Sequence, residues 1–291
     1  MRIAMSPPDF FSVDYVINPW MNPASWRASA AELAHDAQTG WRALKEIYER
    51  LGATVYLQPA VKGLPDLVFT ANAAVALDGA VLLARYRYPE RQGEEAHGLT
   101  FFESLRRQGV VKRLVAMPEE LFFEGAGDAI WDPVRQLFWT GHGPRSSLEA
   151  SDVIEATFGQ PTRRLRLIDP RFYHLDTCLC VLPGGEALHF PQAFDADGLA
   201  LLRQEFGPDR LIEVPEADAL TLAANAFPVT ATDVVFGRCG PALEARLNEL
   251  GYRVHCADLG SFARSGGSAF CLTLRLDAKS ARGAAPKRDR P

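Results

Sequence analysis

Lysine is scarce in this chain of 291 residues, standing only at Lys45, Lys62, Lys112, Lys279 and Lys287, so basic charge is carried almost wholly by arginine. With 31 basic against 36 acidic residues the formal net charge is -5. That balance gives no reason to expect nucleic acid or a membrane surface as partner. Cysteine is equally sparing: Cys178, Cys180, Cys239, Cys256 and Cys271 make an odd number, with no CxxC pair and no histidines at zinc-site spacing. A disulfide framework and a zinc ribbon are both unsupported, which points to a reducing compartment. No apolar run approaches the ~20 residues that a membrane helix needs. Met1 to Pro8 meets two prolines without an apolar signal core, so a cytoplasmic location is expected. What is present is an ordinary globular composition, 47% hydrophobic, with enough apolar material for a sizeable core.

Periodicity supplies the elements. Arg2 to Met5 reads as a strand. Leu33, Ala37, Leu44, Ile47 and Tyr48 keep one helical face apolar within Ala28 to Leu51, and Gly52 ends that helix. A strand follows at Thr54 to Leu57. Ala73 to Leu77 and Ala80 to Ala84 flank Asp78-Gly79, a strong hairpin signal. A helix from Glu94 to Gln108 and a strand from Val110 to Val115 complete a unit. The same order of hairpin, helix and strand returns three times. The second hairpin pairs Ala129 to Trp131 with Gln136 to Gly141, and the third pairs Cys178 to Leu182 with Ala187 to Phe190. The fourth pairs Leu222 to Phe227 with Asp233 to Phe236. A period of about 50 residues without linkers predicts one α/β domain built from internal repeats. It would span residues 1–276, and the small, basic, proline-containing stretch 277–291 predicts a flexible C-terminal tail.

Four segments carry polar residues where strand entries should be apolar. They are Pro65-Asp66-Leu67-Val68-Phe69-Thr70-Ala71-Asn72, Phe123-Glu124-Gly125-Ala126-Gly127-Asp128, Phe172-Tyr173-His174-Leu175-Asp176-Thr177 and Ser265-Gly266-Gly267-Ser268-Ala269-Phe270-Cys271-Leu272. Each lies at the entry to a strand of a different repeat, and a pseudo-symmetric arrangement would bring them to one axis. Cys271, beside a Gly-Gly-Ser turn, is placed to be a nucleophile if a base or cation is near. His174 is its natural acid/base partner, and Glu124 could orient that imidazole. Asp66, Asp128 and Asp176 form a surplus of carboxylates suited to a planar cation, whose N–H groups pair with them bidentately. The bland readings are core cysteines at Cys180 and Cys256, and ordinary histidines at His35, His97, His142, His189 and His255. The glycine-rich turn at 124–128 lacks the Gly-Lys-Ser/Thr ending of a phosphate loop. A metal held by His174, Asp176 and Glu124 is marked by no spacing and ranks below covalent catalysis.

The order of these motifs resembles the guanidino-group-modifying enzymes of the pentein superfamily: arginine deiminases, dimethylarginine dimethylaminohydrolases, amidinotransferases and arginine dihydrolases. The residues that carry it are Phe-Thr-Ala-Asn (69–72), Glu-Gly-Ala-Gly-Asp (124–128), His-Leu-Asp-Thr (174–177) and Gly-Gly-Ser-Ala-Phe-Cys-Leu-Thr (266–273), and it covers residues 1 to about 276. The resemblance implies a five-bladed α/β propeller of ββαβ-type units with a central polar site. It implies Cys271 as nucleophile, His174 as general acid/base and Glu124 as orienting acid. Asp66, Asp128 and Asp176 would hold the guanidinium or order the junctions. Arg91 and Arg145 resemble arginines that take the substrate α-carboxylate, against the plainer reading of solvated surface charges. No metal or organic cofactor is implied, the partner is a small guanidino compound, and homo-oligomerisation stays open.

Asn72 departs from the pattern. Deiminases and dimethylarginine hydrolases usually carry Asp there, and Asn offers one acceptor and one donor set in place of two carboxylate oxygens. That edge matches a ureido group better than a cation. With the opening Asp14-Tyr15-Val16-Ile17-Asn18-Pro19-Trp20-Met21, it is similar to the arginine dihydrolases, which release two ammonia and one carbon dioxide and leave ornithine or a derivative. Asn18 would be a further polar contact, or simply a turn residue before Pro19. The expected activity is hydrolysis of the guanidino group through a thiouronium on Cys271, carried through twice. The rivals are single-step hydrolysis to citrulline, as in a deiminase or dimethylarginine hydrolase, amidino transfer, and a non-catalytic pentein that only binds.

Overall fold

The structure is a computed structural model and describes residues 1–281. Five small three-stranded sheets carry the chain. Four are built alike. β3 (Ala74–Leu77) and β4 (Ala80–Leu83) form an antiparallel hairpin, the helix Glu94–Arg107 crosses over, and β5 (Arg113–Val115) returns parallel to β4. β6 (Ala129–Asp132), β7 (Leu137–His142) and β8 (Thr162–Arg166) repeat the scheme around the helix Ala150–Phe158. β9 (Leu179–Val181), β10 (Ala187–His189) and β11 (Leu211–Glu213) do so around Ala196–Phe206. β12 (Phe227–Pro228), β13 (Asp233–Phe236) and β14 (Arg253–Cys256) do so around Pro241–Glu249.

The fifth sheet joins the two ends of the chain. β1 (Arg2–Met5) runs parallel to β2 (Thr54–Leu57) across the helix Ala30–Arg50, and β15 (Leu274–Arg275) lies antiparallel on the other side of β1. Two residues are too short a strand to stand out in a sequence, and β15 was not expected there. The long helix buries Leu33, Ala37, Gly40, Trp41, Leu44, Ile47 and Tyr48, one face of a 3.6-residue period. Gly40 is needed on that face, because a Cβ would stand 1.9 Å from the carbonyl oxygen of Asp258.

The hairpin at Asp78-Gly79 is as expected: both residues have positive φ, 55° and 83°, the geometry of a tight turn that matches strand twist. Two expectations need correction. The strand expected over Leu222 to Phe227 begins only at Phe227, because Leu222 to Ala226 are fully buried in a turn with Leu222 at φ 59°. The tail expected from residue 277 does not start there. Asp277 accepts from the Arg2 amide (2.9 Å), Ala278 O accepts from the Asp78 amide (2.9 Å), and Ser280 Oγ donates to Asp78 Oδ2 (2.6 Å). The Ala281 amide donates to Gln136 Oε1 on the second hairpin, so bonds to β1 and to two hairpin turns hold the chain as far as Ala281, and the rest of the expected tail, 282–291, lies outside the described residues. A cavity of about 360 Å³ is lined by one strand of every sheet, β3, β6, β9, β12 and β15, through residues that include Val75, Ala129, Val181, Phe227 and Leu274. Among the described residues no helix is long and apolar enough to cross a membrane.

Candidate active site

The segments that lead into β3, β6, β9 and β15 hold the polar residues singled out above, and short 3-10 turns shape the first three of them. These turns, Thr70–Ala73, Gly125–Gly127 and Leu175–Thr177, pack on one another. Glycine permits the approach. Gly125 has φ 63°, and a Cβ there would meet Ala71 O at 2.5 Å and Asn72 O at 2.7 Å. At Gly127 a Cβ would meet Asn72 Nδ2 at 2.6 Å and the His174 ring at 3.3 Å, so both side chains border it. Gly125→Ala therefore combines a left-handed backbone with a backbone clash, and should cost at least ~2 kcal/mol of stability. A thermal melt checks this; an unchanged midpoint would mean that the turn relaxes freely.

His174 and Glu124 are brought together. His174 Nε2 and Glu124 Oε2 are 2.8 Å apart, and both side chains are buried. The same Glu124 oxygen accepts from Arg145 Nη1 at 2.8 Å. Burial works against a charged Glu124, yet Arg145, His174 and Arg91 outweigh it and hold the carboxyl well below the usual range. Glu124 is thus a permanent anion that can orient an imidazole.

Cys271 is 2% exposed, and its thiol donates to Asp176 Oδ2 at 3.1 Å. Burial and the Asp176 carboxylate both push the thiol up. Burial in turn raises the Asp176 carboxyl to about 7, against the pull of its bonds from Cys271 and Asn225. Asp66 Oδ2 accepts from the Tyr15 hydroxyl at 2.9 Å. Three side-chain atoms of the candidate substrate-binding residues are buried without a protein partner, Asp66 Oδ1, Asp176 Oδ1 and Asn72 Nδ2, beside the Ser265 hydroxyl in the loop before Cys271. Two are acceptors and one is a donor. Buried polar atoms left unpaired are costly, and their clustering marks a place for a polar ligand.

The remaining expected residues separate. Asn72 Oδ1 accepts from Arg91 Nη1 at 2.9 Å, which fixes the amide so that only its N–H₂ is free. Arg91 is no surface charge: it is 2% exposed, and Glu94 grips it through Nε (2.9 Å) and Nη2 (2.8 Å). Asp66 O takes a further Nη2 bond at 3.1 Å. Arg145 is also buried, with its guanidinium 4.7 Å from the Tyr88 ring centre and 4.5 Å from that of Tyr173. Beyond Glu124 its protein contact is Ile17 O at 3.2 Å, so it keeps more spare N–H than Arg91 does. Asp128 orders the junctions: its oxygens accept from Ser146 Oγ (2.6 Å) and the Leu175 amide (3.0 Å). Asn18 fastens the segment before Pro19, donating to Ser265 O (3.1 Å) and accepting from the Trp20 amide (2.9 Å). Among the described residues no three His, Cys, Asp or Glu side chains gather as a metal site. The 360 Å³ cavity is lined by none of Cys271, His174, Glu124 or Asp176 and is a separate feature.

Sequence reasoning missed three participants. Tyr15 and Tyr173 gave no periodic signal, since their hydroxyls reach across the chain, Tyr173 to Ser265 O at 2.8 Å. Asn225 touches the Cys271 sulfur, and a signal for it existed: the tripeptide Ala-Asn-Ala at 71–73 recurs at 224–226, each just before the first strand of its hairpin.

These loops thus carry a buried thiol, an imidazole against a carboxylate, and buried carboxylate oxygens without a protein partner. Similarity to known proteins gives the class. The family model described as N,N dimethylarginine dimethylhydrolase, eukaryotic, matches residues 15–276, and the chain belongs to this family of the pentein superfamily. The bifunctional arginine dihydrolase/ornithine cyclodeaminase ArgZ of Synechocystis is 39% identical over 276 residues, 95% of this chain but 38% of that protein. The chain thus spans well under half the length of this relative. The N(G),N(G)-dimethylarginine dimethylaminohydrolase of Mycobacterium tuberculosis is 36% identical, over 94% of this chain and 85% of its own length. The crystal structure of the N-terminal domain of ArgZ bound to substrate superposes with a TM-score of 0.87 at 38% identity, covering 96% of this chain and 98% of that one. A dimethylarginine dimethylaminohydrolase adduct with S-methyl-L-thiocitrulline, at 20% identity and TM-score 0.75, shares the mixed α/β fold.

Proposed function

We propose that the chain is an arginine dihydrolase: one arginine and two waters give ornithine, two ammonia and carbon dioxide. The observation that carries this reading is Asn72, whose amide nitrogen is a buried donor without a partner, while Asp66 and Asp176 each keep a free acceptor. The acceptors suit guanidinium N–H groups, and the donor suits the ureido oxygen of a citrulline-like intermediate product.

The cation lying against Asp176 displaces the Cys271 S–H from that carboxylate, and the thiol proton leaves to solvent as substrate binds, so the sulfur meets the guanidinium carbon as a thiolate. Sulfur attacks the guanidinium carbon, His174 passes a proton to the departing nitrogen, and ammonia leaves a thiouronium on Cys271. Water, giving its proton to His174, displaces the sulfur and leaves a ureido group. A second attack on that carbon expels the second ammonia. Hydrolysis of the resulting thiocarbamate gives a carbamate, which loses carbon dioxide. Glu124 keeps the imidazole oriented throughout, and Arg145, with N–H to spare, is assigned to the α-carboxylate. Arg91 acts through Asn72, holding its amide in one orientation. Asp128 and Asn18 hold the loops that carry these groups.

The proposed architecture is a five-bladed propeller in one catalytic domain reaching to residue 281, supported by five three-stranded sheets, each of which lends one edge strand to a common cavity. Ammonia counted per arginine, with ornithine and citrulline separated chromatographically, tests the function. Two ammonia with ornithine is expected; citrulline as end product from arginine or methylated arginine would give the reading to the single-step hydrolases of the family.

Asp176 gives a pH signature. Its carboxyl must be ionised to receive the cation, so kcat/KM should rise with pH along a limb near 7, and Asp176→Asn should abolish that limb along with most activity. The linkage has a definite sign. The folded value of about 7 lies above the unfolded value near ~3.9, so this group's stabilising contribution is complete below that value and is lost as pH climbs towards 7. Asp176→Asn should therefore gain melting temperature on the parent between pH 5 and 8 (~). A constant difference across that range would contradict the raised carboxyl.

A further inference from the structure

We propose that Asn225 is a catalytic residue, donating its side-chain N–H to the Cys271 sulfur and stabilising the thiolate both as it attacks and as it leaves. This rests on the covalent chemistry proposed above. Asn225 is fully buried, and its Oδ1 accepts from the amides of Ser268 (2.9 Å) and Cys271 (3.2 Å). Two N–H donors at that atom settle which way the amide points. Its Nδ2 must then face the other side, where it donates to Asp176 O (2.9 Å) and Cys271 Sγ (3.1 Å). The Asn225 carbonyl closes the loop from outside by accepting from the Phe270 amide at 3.0 Å. One asparagine therefore fixes the nucleophile's backbone and touches its reacting atom.

The need for such a donor follows from the neighbours. Asp176, which accepts the S–H, and Tyr173 both oppose a thiolate, while the Ser268 backbone amide and the Asn225 side chain favour one, and Asn225 is the one side-chain donor among these groups. His174 is committed to Glu124 through Nε2. When the thiol loses its proton the bond to Asp176 is lost, while the bond from Asn225 becomes charge-assisted and stronger. The tripeptide shared with Asn72 gives the same side chain two jobs. At 72 the N–H₂ is free for substrate, and at 225 both edges are taken by the loop of the nucleophile.

The test is the pH dependence of Cys271 alkylation by iodoacetamide, with the labelled site read by mass spectrometry, in the full chain and in two variants. Asn225→Asp keeps the size and the acceptor for the two amides but replaces the donor with an anion. Asn225→Ala removes the donor without adding charge. Both should slow labelling at pH 7.5 by about tenfold or more and move its midpoint up by about one unit. A merely structural role would lower the melting temperature and leave the midpoint in place. A parental midpoint in either folded variant overturns the assignment to Asn225 alone. If the parent's Cys271 is not labelled and Cys271→Ser still turns over arginine, the covalent reading falls, and this inference with it.

Discussion

Cys271→Ser should leave a folded protein whose turnover of arginine is lower by about 10⁴-fold or more. The oxygen is slightly smaller, so the loop held by Asn225 should keep its shape and the melting temperature should stay within a few degrees (~) of the parent. The loss is chemical. A serine hydroxyl in the same place ionises far less readily than a thiol, and nothing here is arranged as its base: the side chain faces Asp176 and Asn225, while His174 Nε2 is turned to Glu124. Steady-state ammonia release measures the effect. Activity within tenfold of the parent would remove sulfur from the mechanism. The same variant should bind arginine without consuming it, which calorimetry can follow.

The second large effect is a change of product. In Asn72→Asp the carboxylate remains paired with Arg91, which now donates to an anion, so the fold should tolerate the exchange. What disappears is the only N–H aimed at the bound group from this position, and a negative oxygen takes its place. A guanidinium welcomes that change and a ureido oxygen does not. The first hydrolysis should persist, and the second should slow by about 10²- to 10³-fold, the cost of losing one well-placed donor to a developing oxyanion. Arginine would then yield one ammonia and accumulating citrulline. Ornithine released at the parental ratio would show that the second step does not depend on this donor.

Much of the architecture was legible because it repeats. The Asp78-Gly79 turn has one obvious conformation, and the helix over Ala30–Arg50 shows its buried face in the spacing of its leucines and aromatics. The polar residues at strand entries stood out because nothing in a strand or turn calls for them. The rest was invisible for physical reasons. β15 has two residues and exists only because β1 is waiting for it at the far end of the chain. The turn over Leu222–Ala226 reads as apolar strand, since all its side chains but one are hydrophobic, and the exception, Asn225, is marked only by the tripeptide it shares with Asn72, not by the sulfur it meets 46 residues away. Spacing likewise could not separate Asp128, whose oxygens are used within the protein, from Asp66 and Asp176, which each keep one free. For Arg91 and Arg145 the chain offered a choice between ligand arginine and solvated charge. Burial removes the second option for both.

The pairing of β1 with β15 also sets a timetable. Residues 3 and 275 stand opposite each other, so the first sheet cannot be completed until nearly the whole described chain has left the ribosome, and Cys271 arrives with that last strand. Such distant closure slows folding, because the entropy of a long loop is lost before any contact repays it. Until then the segments that carry Glu124 and His174 have been made, but the sulfur of Cys271 has not reached them. Joining the ends and reopening the molecule at Asp78-Gly79 would reverse the schedule, making the nucleophile's strand an early, internal part of synthesis.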